Sequence, residues 1–373
     1  MFGLSRHGRG TLLLTGMTAA PATSTLLTAR TLTDGGQQAL EIAREIKAFL
    51  GRAKETLDIA QYDFHLVPET ASIVGGAIKD AAARGVAVRV IYDVGHRNPI
   101  PVPPPPEPDL LLIKSLGVPE RGISGVPDLM HHKYVIRDRE SVWTGSTNWT
   151  DDSWSRQENV IVTVDSPELG AAFTKDFDEL WSTGAVEESG FLEPRWASVG
   201  RVKVRPWFTP GHGEELSVRM AKVIRRAKRR VRICSPVLTV APVLAVLAEI
   251  VSEGKLDLAG CLDRPQIEGV IYQWREDGDA AWKLPLLERV LTAPFSAKPS
   301  TAWGTGPVHD FMHAKITVAD DTVFTGSFNL SRSGERNAEN VLEIEDPALA
   351  DRLAGYIDEV RALYPLFSTQ RSQ

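Results

Sequence analysis

The chain has 373 residues, of which 43% are hydrophobic and 24% charged, with a formal net charge of −6. This is the balance of an ordinary soluble globular protein of two or three domains, and it excludes wholesale disorder, collagen-like repeats and a disulfide-stapled miniprotein. The acidic excess, 48 Asp and Glu against 42 Lys and Arg, removes a global cationic footprint for duplex nucleic acid, and no run reaches the ~20 apolar residues of a membrane span.

Residues 1–30 read as a leader. Arg6 and Arg9 precede Leu12-Leu13-Leu14, and Ala20-Pro21-Ala22 follows, in weak resemblance to a secretory signal. Thr11, Thr15, Gly16 and Thr18 dilute the apolar stretch, so a disordered leader is the expectation and export the alternative. Ile42, Ile46, Phe49 and Leu50 then recur at helical spacing and lead into a buried strand over 56–60. A second helix ends in the strand 88–93. From Asp93 to the first motif histidine runs a proline-rich connection with Pro99, Pro101, Pro103, Pro104, Pro105, Pro106 and Pro108, read equally as a wall over a site or a surface loop. Gly184–Gly190 has linker character and puts a boundary near 190–200, giving halves over 31–190 and 200–373.

The second half repeats the first. Leu216, Met220 and Ile224 lead into Val231–Cys234, and another helix precedes Leu256–Asp263. Strands alternating with helices in both halves predict an α/β fold with mixed sheets flanked by helices. The basic run Lys222, Arg225, Arg226, Lys228, Arg229, Arg230 and Arg232 reads as the solvated end of a helix. The connection with Trp274, Trp282, Phe295, Trp303 and Phe311 reads mainly as folded onto its own half, with lipid contact as the alternative. Cys234 and Cys261 sit in apolar runs, fit no metal spacing and read as buried thiols.

Chemistry is concentrated in a repeated motif. Residues 130–138 (MHHKYVIRD) precede 142–148 (VWTGSTN), and residues 312–320 (MHAKITVAD) precede 323–329 (VFTGSFN). Each copy has His-x-Lys, then Asp, then Gly-Ser-x-Asn, a set of six identities met by chance on the order of once in a hundred million starts. Residues i and i+2 of a strand share a face, so His131 with Lys133, and His313 with Lys315, point together. The residue between them is His132 in one copy and Ala314 in the other, which makes His132 a packing residue rather than a catalytic one. A phosphodiester suits this set: two lysines balance developing charge, Ser146, Ser327, Asn148 and Asn329 donate to phosphate oxygens, and Gly145 and Gly326 let backbone approach. Two imidazoles divide attack on phosphorus from protonation of the leaving oxygen, with no metal or other cofactor needed. A nucleophilic histidine needs a carboxylate or carbonyl on its far nitrogen to orient the ring and fix its tautomer, and Glu158 and Glu339, 27 and 26 residues after the motif histidines and each before Asn-Val, are the candidates.

These motifs resemble the paired HKD motifs of the phospholipase D superfamily over about residues 33–367. The resemblance implies two half-domains about a pseudo-twofold axis, one shared site at their interface and a phosphohistidine intermediate. It makes His131 the nucleophile and His313 the acid and base, with Lys133, Lys315, Asn148 and Asn329 on the phosphate and Ser146 and Ser327 in support. Asp138 and Asp320, five residues past the lysines, read as structural, stabilising turn and interface. A phospholipid is the expected substrate, cleaved or transferred to an alcohol, and a nuclease of the same superfamily is the alternative. A monomer, cytoplasmic or in peripheral contact with a membrane, completes the expectation.

Overall fold

The structure is a computed structural model and describes residues 26–95, 108–276, 278, 280–304 and 308–367. Two sheets form from the two halves. The first runs in the order Leu27–Leu32, Asn159–Asp165, Ser141–Gly145, Lys133–Arg137, Thr56–Gln61, Ala87–Val94 and Glu120–Ser124. The second runs Ala197–Val199, Val202–Thr209, Glu339–Glu345, Thr322–Gly326, Ile316–Ala319, Arg230–Ser235, Asp257–Asp263 and Phe295–Lys298. Without the short Ala197–Val199 strand the two orders coincide strand for strand. In each, the neighbours leading to the central strand are antiparallel and the last two pairings parallel. The mixed α/β architecture is therefore the one expected.

Helices cover both faces of each sheet. Ala39–Leu50 buries Ile42, Ala43, Ile46, Phe49 and Leu50, the stripe its periodicity requires, and packs with Pro68–Ala83 on the outer face of the first sheet. Gly213–Arg226 and Ala241–Glu253 do the same on the second. The inner faces meet in one central core to which both halves contribute. Val160, Val162, Val164, Phe173 and Phe177 pack there with Leu342, Ile344, Leu353 and Ile357. Each such side chain contributes roughly 1.5–3 kcal/mol on burial, so the halves are held by apolar packing that runs directly under the motif strands. The helices Pro167–Thr183 and Pro347–Leu363, which close this core, start alike: proline in the first turn, and Ser166 or Asp346 accepting a backbone N–H at the N-cap.

Two expected boundaries move. The leader lies outside the described residues up to residue 25, but Leu27–Arg30 belong to a strand paired with Asn159–Asp165, because Leu27, Ala29 and Leu32 bury against the sheet. The second sheet begins at Ala197, ahead of residue 200. The connection before it is packed rather than loose: Val186 is buried in the central core, and Gly190, at φ 79°, lies against the Thr209 carbonyl, where a Cβ would clash. Most of the proline-rich connection, residues 96–107, lies outside the described residues. Arg225, Arg229, Arg230 and Arg232 of the basic run each pair with a carboxylate of their own half. Cys234 and Cys261 are buried free thiols.

Candidate active site

The motif histidines sit where strands of opposite halves touch. The backbone N–H of His131 donates to the Ala338 carbonyl at 2.9 Å, and that of His313 to the Glu158 carbonyl at 3.2 Å. One step earlier, the Met130 N–H donates to Asp93 at 2.8 Å and the Met312 N–H to Asp263 at 3.2 Å. These two aspartates lie at the C-terminal ends of equivalent strands, Asp93 one residue before the end of Ala87–Val94 and Asp263 last in Asp257–Asp263, and pin the elbow before each histidine. They were visible in the sequence only as matching last residues of two strands.

Each lysine folds back on its own motif as strand alternation demands. Lys133 Nζ donates to the His131 carbonyl and Lys315 Nζ to the His313 carbonyl, both at 2.8 Å. The lysines are 1% and 4% exposed. Above them opens a cavity of about 1030 Å³ between the halves, with His131, His313, Asn148 and Asn329 among its lining residues. Tyr62 stands edge-on to His131, ring centres 4.6 Å apart, and Phe311 flanks His313 at 5.3 Å.

Electrostatically the site is a buried pool of positive charge. Burial, then the charges of both lysines, holds His131 and His313 well below the ordinary imidazole range. Burial lowers Lys133 to about 7, and burial with repulsion from Lys133 depresses Lys315 strongly. Glu339 offsets these charges, and burial raises its own carboxyl to about 7. Asp63 and Asp93 also act on Lys133, so two lysines lie under two imidazoles with carboxylates mainly on the side of the first half.

The carboxylates are the first departure from the expected symmetry. Glu339 Oε2 lies 2.8 Å from His131 Nδ1, reaching across from the second half. Its sequence counterpart Glu158 does not face His313. Its carboxylate accepts from Lys298 Nζ at 2.9 Å and from the Tyr364 hydroxyl at 2.5 Å, and the next residue, Asn159, turns Oδ1 to His313 Nδ1 at 3.2 Å. The cause is a register difference. Gly145 lies opposite Ile161, whereas Gly326 lies opposite Val341, so the first half holds one residue more before the paired segment. A slip of one residue sends every side chain to the other face. The sequence marks it: Gly145 to Pro167 is one residue longer than Gly326 to Pro347.

Residues 46–181 and 220–361, well over half the chain, match the family described as "Cardiolipin synthase, PLD-like domain". The chain belongs to the phospholipase D superfamily. Among its relatives, human mitochondrial cardiolipin hydrolase is 29% identical over 161 residues, 43% of this chain and 58% of that protein. A phospholipase D of Rickettsia bellii is 29% identical over 106 residues, 28% of this chain and 49% of that protein. The chain thus spans about half the length of the curated relatives it matches. In structure, phosphatidylserine synthase of Haemophilus influenzae aligns over 90% of this chain and 85% of its own, with TM-score 0.62 and 13% identity. Polyphosphate kinase of Porphyromonas gingivalis covers 93% and 53%, with TM-score 0.55 and 13% identity. At such identities these likenesses show the fold alone.

The remaining phospholipase D motif residues fall into two groups. Asn148 and Asn329 line the cavity, and their buried Oδ1 atoms have no hydrogen-bond partner among the described residues. Ser146 and Ser327 do not line it, contrary to their expected support of the phosphate. Ser146 Oγ donates to Asn159 Oδ1 at 2.6 Å and accepts the Val160 N–H, and Ser327 Oγ accepts the Asn340 N–H and bonds the Glu339 carboxyl. Both serines therefore position the residues behind the histidines. Gly145 and Gly326 allow this approach, since a Cβ on either would meet a carbonyl oxygen at 2.1 Å. Asp138 binds the N–H groups of Lys54, Glu55 and Thr56, and Asp320 those of Lys228, Arg229 and Arg230. Each thus braces the turn before the central strand of its own half, and the expected interface role is replaced by this one. His132 is fully buried, its Nε2 3.1 Å from Asp176 and its ring among Tyr134 and Phe208, a packing position. Phe295 is buried in the second half, while Trp274, itself mostly buried, lines the cavity with Trp303 and Phe311, and Trp282 is 57% exposed at its edge. Among the described residues no group of His, Cys, Asp or Glu is disposed to hold a metal ion, and no helix is long and apolar enough to cross a membrane.

Proposed function

We propose that this chain is a phosphodiesterase or phosphatidyltransferase that cleaves a phospholipid through a phosphohistidine, with lysine charge in the place of a metal. The observation that carries the reading is that both imidazoles, over both buried lysines, line one cavity between the halves. Glu339 holds the Nδ1–H of His131 and leaves its Nε2 lone pair for phosphorus. As the Nε2–P bond forms, the P–O bond to the leaving group breaks, and that oxygen takes a proton from His313. Lys133 and Lys315 balance the charge on the phosphoryl oxygens, with the amides of Asn148 and Asn329 alongside. Neutral His313 then takes the proton of water or an alcohol, whose oxygen attacks phosphorus and frees His131. The names of the human and Rickettsia relatives support a phospholipid substrate, and so do Val237, Pro242, Val270 and Trp274 in the cavity wall. The chain acts as two half-domains that meet between residues 190 and 197, and one chain supplies a whole site, so it works as a monomer in peripheral contact with lipid.

The test is turnover of phosphatidylcholine and phosphatidylglycerol vesicles, and separately of single-stranded DNA, with chelator present. Release of headgroup or phosphatidic acid that is lost in His131→Ala and His313→Ala supports the proposal. DNA cleavage without lipid turnover replaces it with a nuclease. Activity abolished by chelator but kept in both variants ends it.

A further inference from the structure

Asn159 belongs to no motif, yet it occupies the place at His313 that Glu339 occupies at His131. Its orientation is fixed at both ends. Nδ2 donates to the Ser153 carbonyl at 3.0 Å, a group that only accepts, so Oδ1 is the atom turned to His313. Oδ1 also accepts from Ser146 Oγ at 2.6 Å, and Asn159 is fully buried. An oxygen facing Nδ1 of His313 at 3.2 Å requires the proton on Nδ1 and leaves Nε2 toward the cavity.

We propose that Asn159 is a positioning residue that fixes the tautomer of His313 while withholding a counter-charge, and so divides the labour: His131 carries the covalent intermediate and His313 moves the protons. The inference rests on the phosphodiesterase reading. When His131 Nε2 bonds to phosphorus the ring keeps its Nδ1–H and becomes cationic, and the Glu339 carboxylate beside it balances that charge. Among the described residues, protonated His313 has no such partner. It faces Lys315 on its own strand, Lys133 and His131 from the first half, and His309 from the preceding segment. Asp263 is engaged by the Met312 N–H and Ser300, and the Glu158 carboxylate by Lys298 and Tyr364. A cationic ring so placed gives up its proton readily, as the acid for a leaving oxygen must.

The experiment puts a carboxylate of the same shape there. Asn159→Asp is expected to move the alkaline limb of the pH–rate profile on phosphatidylcholine vesicles upward by about one unit, and so raise the rate above that limb up to about tenfold. The limb moves up because protonated His313 is required for the first step and the new carboxylate holds that proton to higher pH. An unmoved limb in a folded, active variant overturns the inference. A readout independent of turnover uses the wild-type chain: imidazole nitrogen NMR, with His313 assigned from His313→Gln, is expected to show the Nδ1–H tautomer. The Nε2–H tautomer overturns the inference whether or not Asn159→Asp folds. If no phosphodiester is turned over, the phosphodiesterase reading fails while the tautomer still decides the role of Asn159.

Discussion

The two halves share a strand order, a motif and a lysine geometry, yet they finish their histidines differently. In one, a carboxylate from across the interface meets the ring; in the other, an amide does, because one extra residue turns a strand face over. The duplication therefore preserved in both copies the lysine and the imidazole that meet at one cavity. It let the partners behind the rings diverge. Chemical asymmetry follows from a register change of one residue, with every motif letter intact.

The comparison breaks most decisively at the histidines. Removing either ring, His131→Ala or His313→Ala, is expected to lower lipid turnover by at least about a thousandfold. A phosphorus adduct trapped by rapid quench of the wild-type chain during turnover should be located on His131 by peptide mass spectrometry and be absent from His131→Ala; an adduct on His313 would reverse the assignment.

The two glutamates sharpen it next. Glu339→Gln gives His131 an amide partner like that of His313, and should lower kcat by about a hundredfold with little change in KM. Glu158→Gln leaves the rings untouched and breaks a fully buried ion pair with Lys298, so its loss is expected in stability, of about 3 kcal/mol by denaturant titration. Equal effects of the two on kcat would mean that the carboxylates act alike.

The lysines provide a pH test. Burial lowers Lys133 to about 7, so competitive inhibition by vanadate or inorganic phosphate should weaken as pH rises through 7, and Lys133→Met should flatten that dependence. The smallest effects belong to a matched pair. Asp138→Asn and Asp320→Asn each weaken the bracing of three backbone N–H groups, and each should cost about 1 kcal/mol. Backbone hydrogen bonds hold both carboxyls below the usual range. Their contribution is therefore present above the ordinary carboxylate pKa and lost as pH falls through the lowered one, which acid denaturation of each variant would show.

Much of this was legible because periodicity and repetition report local geometry. The alternation of His131 with Lys133, and of His313 with Lys315, fixed a face, and the second copy dismissed His132 as chemistry. The α/β order followed from the same patterns. What escaped notice depends on pairing between distant strands. Nothing near Glu158 reports that Gly145 lies opposite Ile161, and the matching Glu-Asn-Val letters pointed the other way. The motif serines looked like phosphate donors until their hydroxyls were seen engaged with Asn159 and Glu339. Asp93, Asp263 and Lys298 act on residues 37, 49 and 140 positions away, beyond the reach of any local pattern.

Because Glu339 completes the ring of His131 and Asn159 that of His313, neither portion of the chain contains a finished catalytic group. A gene severed at the connection near residue 190 should yield two inert fragments, and reaction should return only when both are produced together and reassociate across their apolar faces.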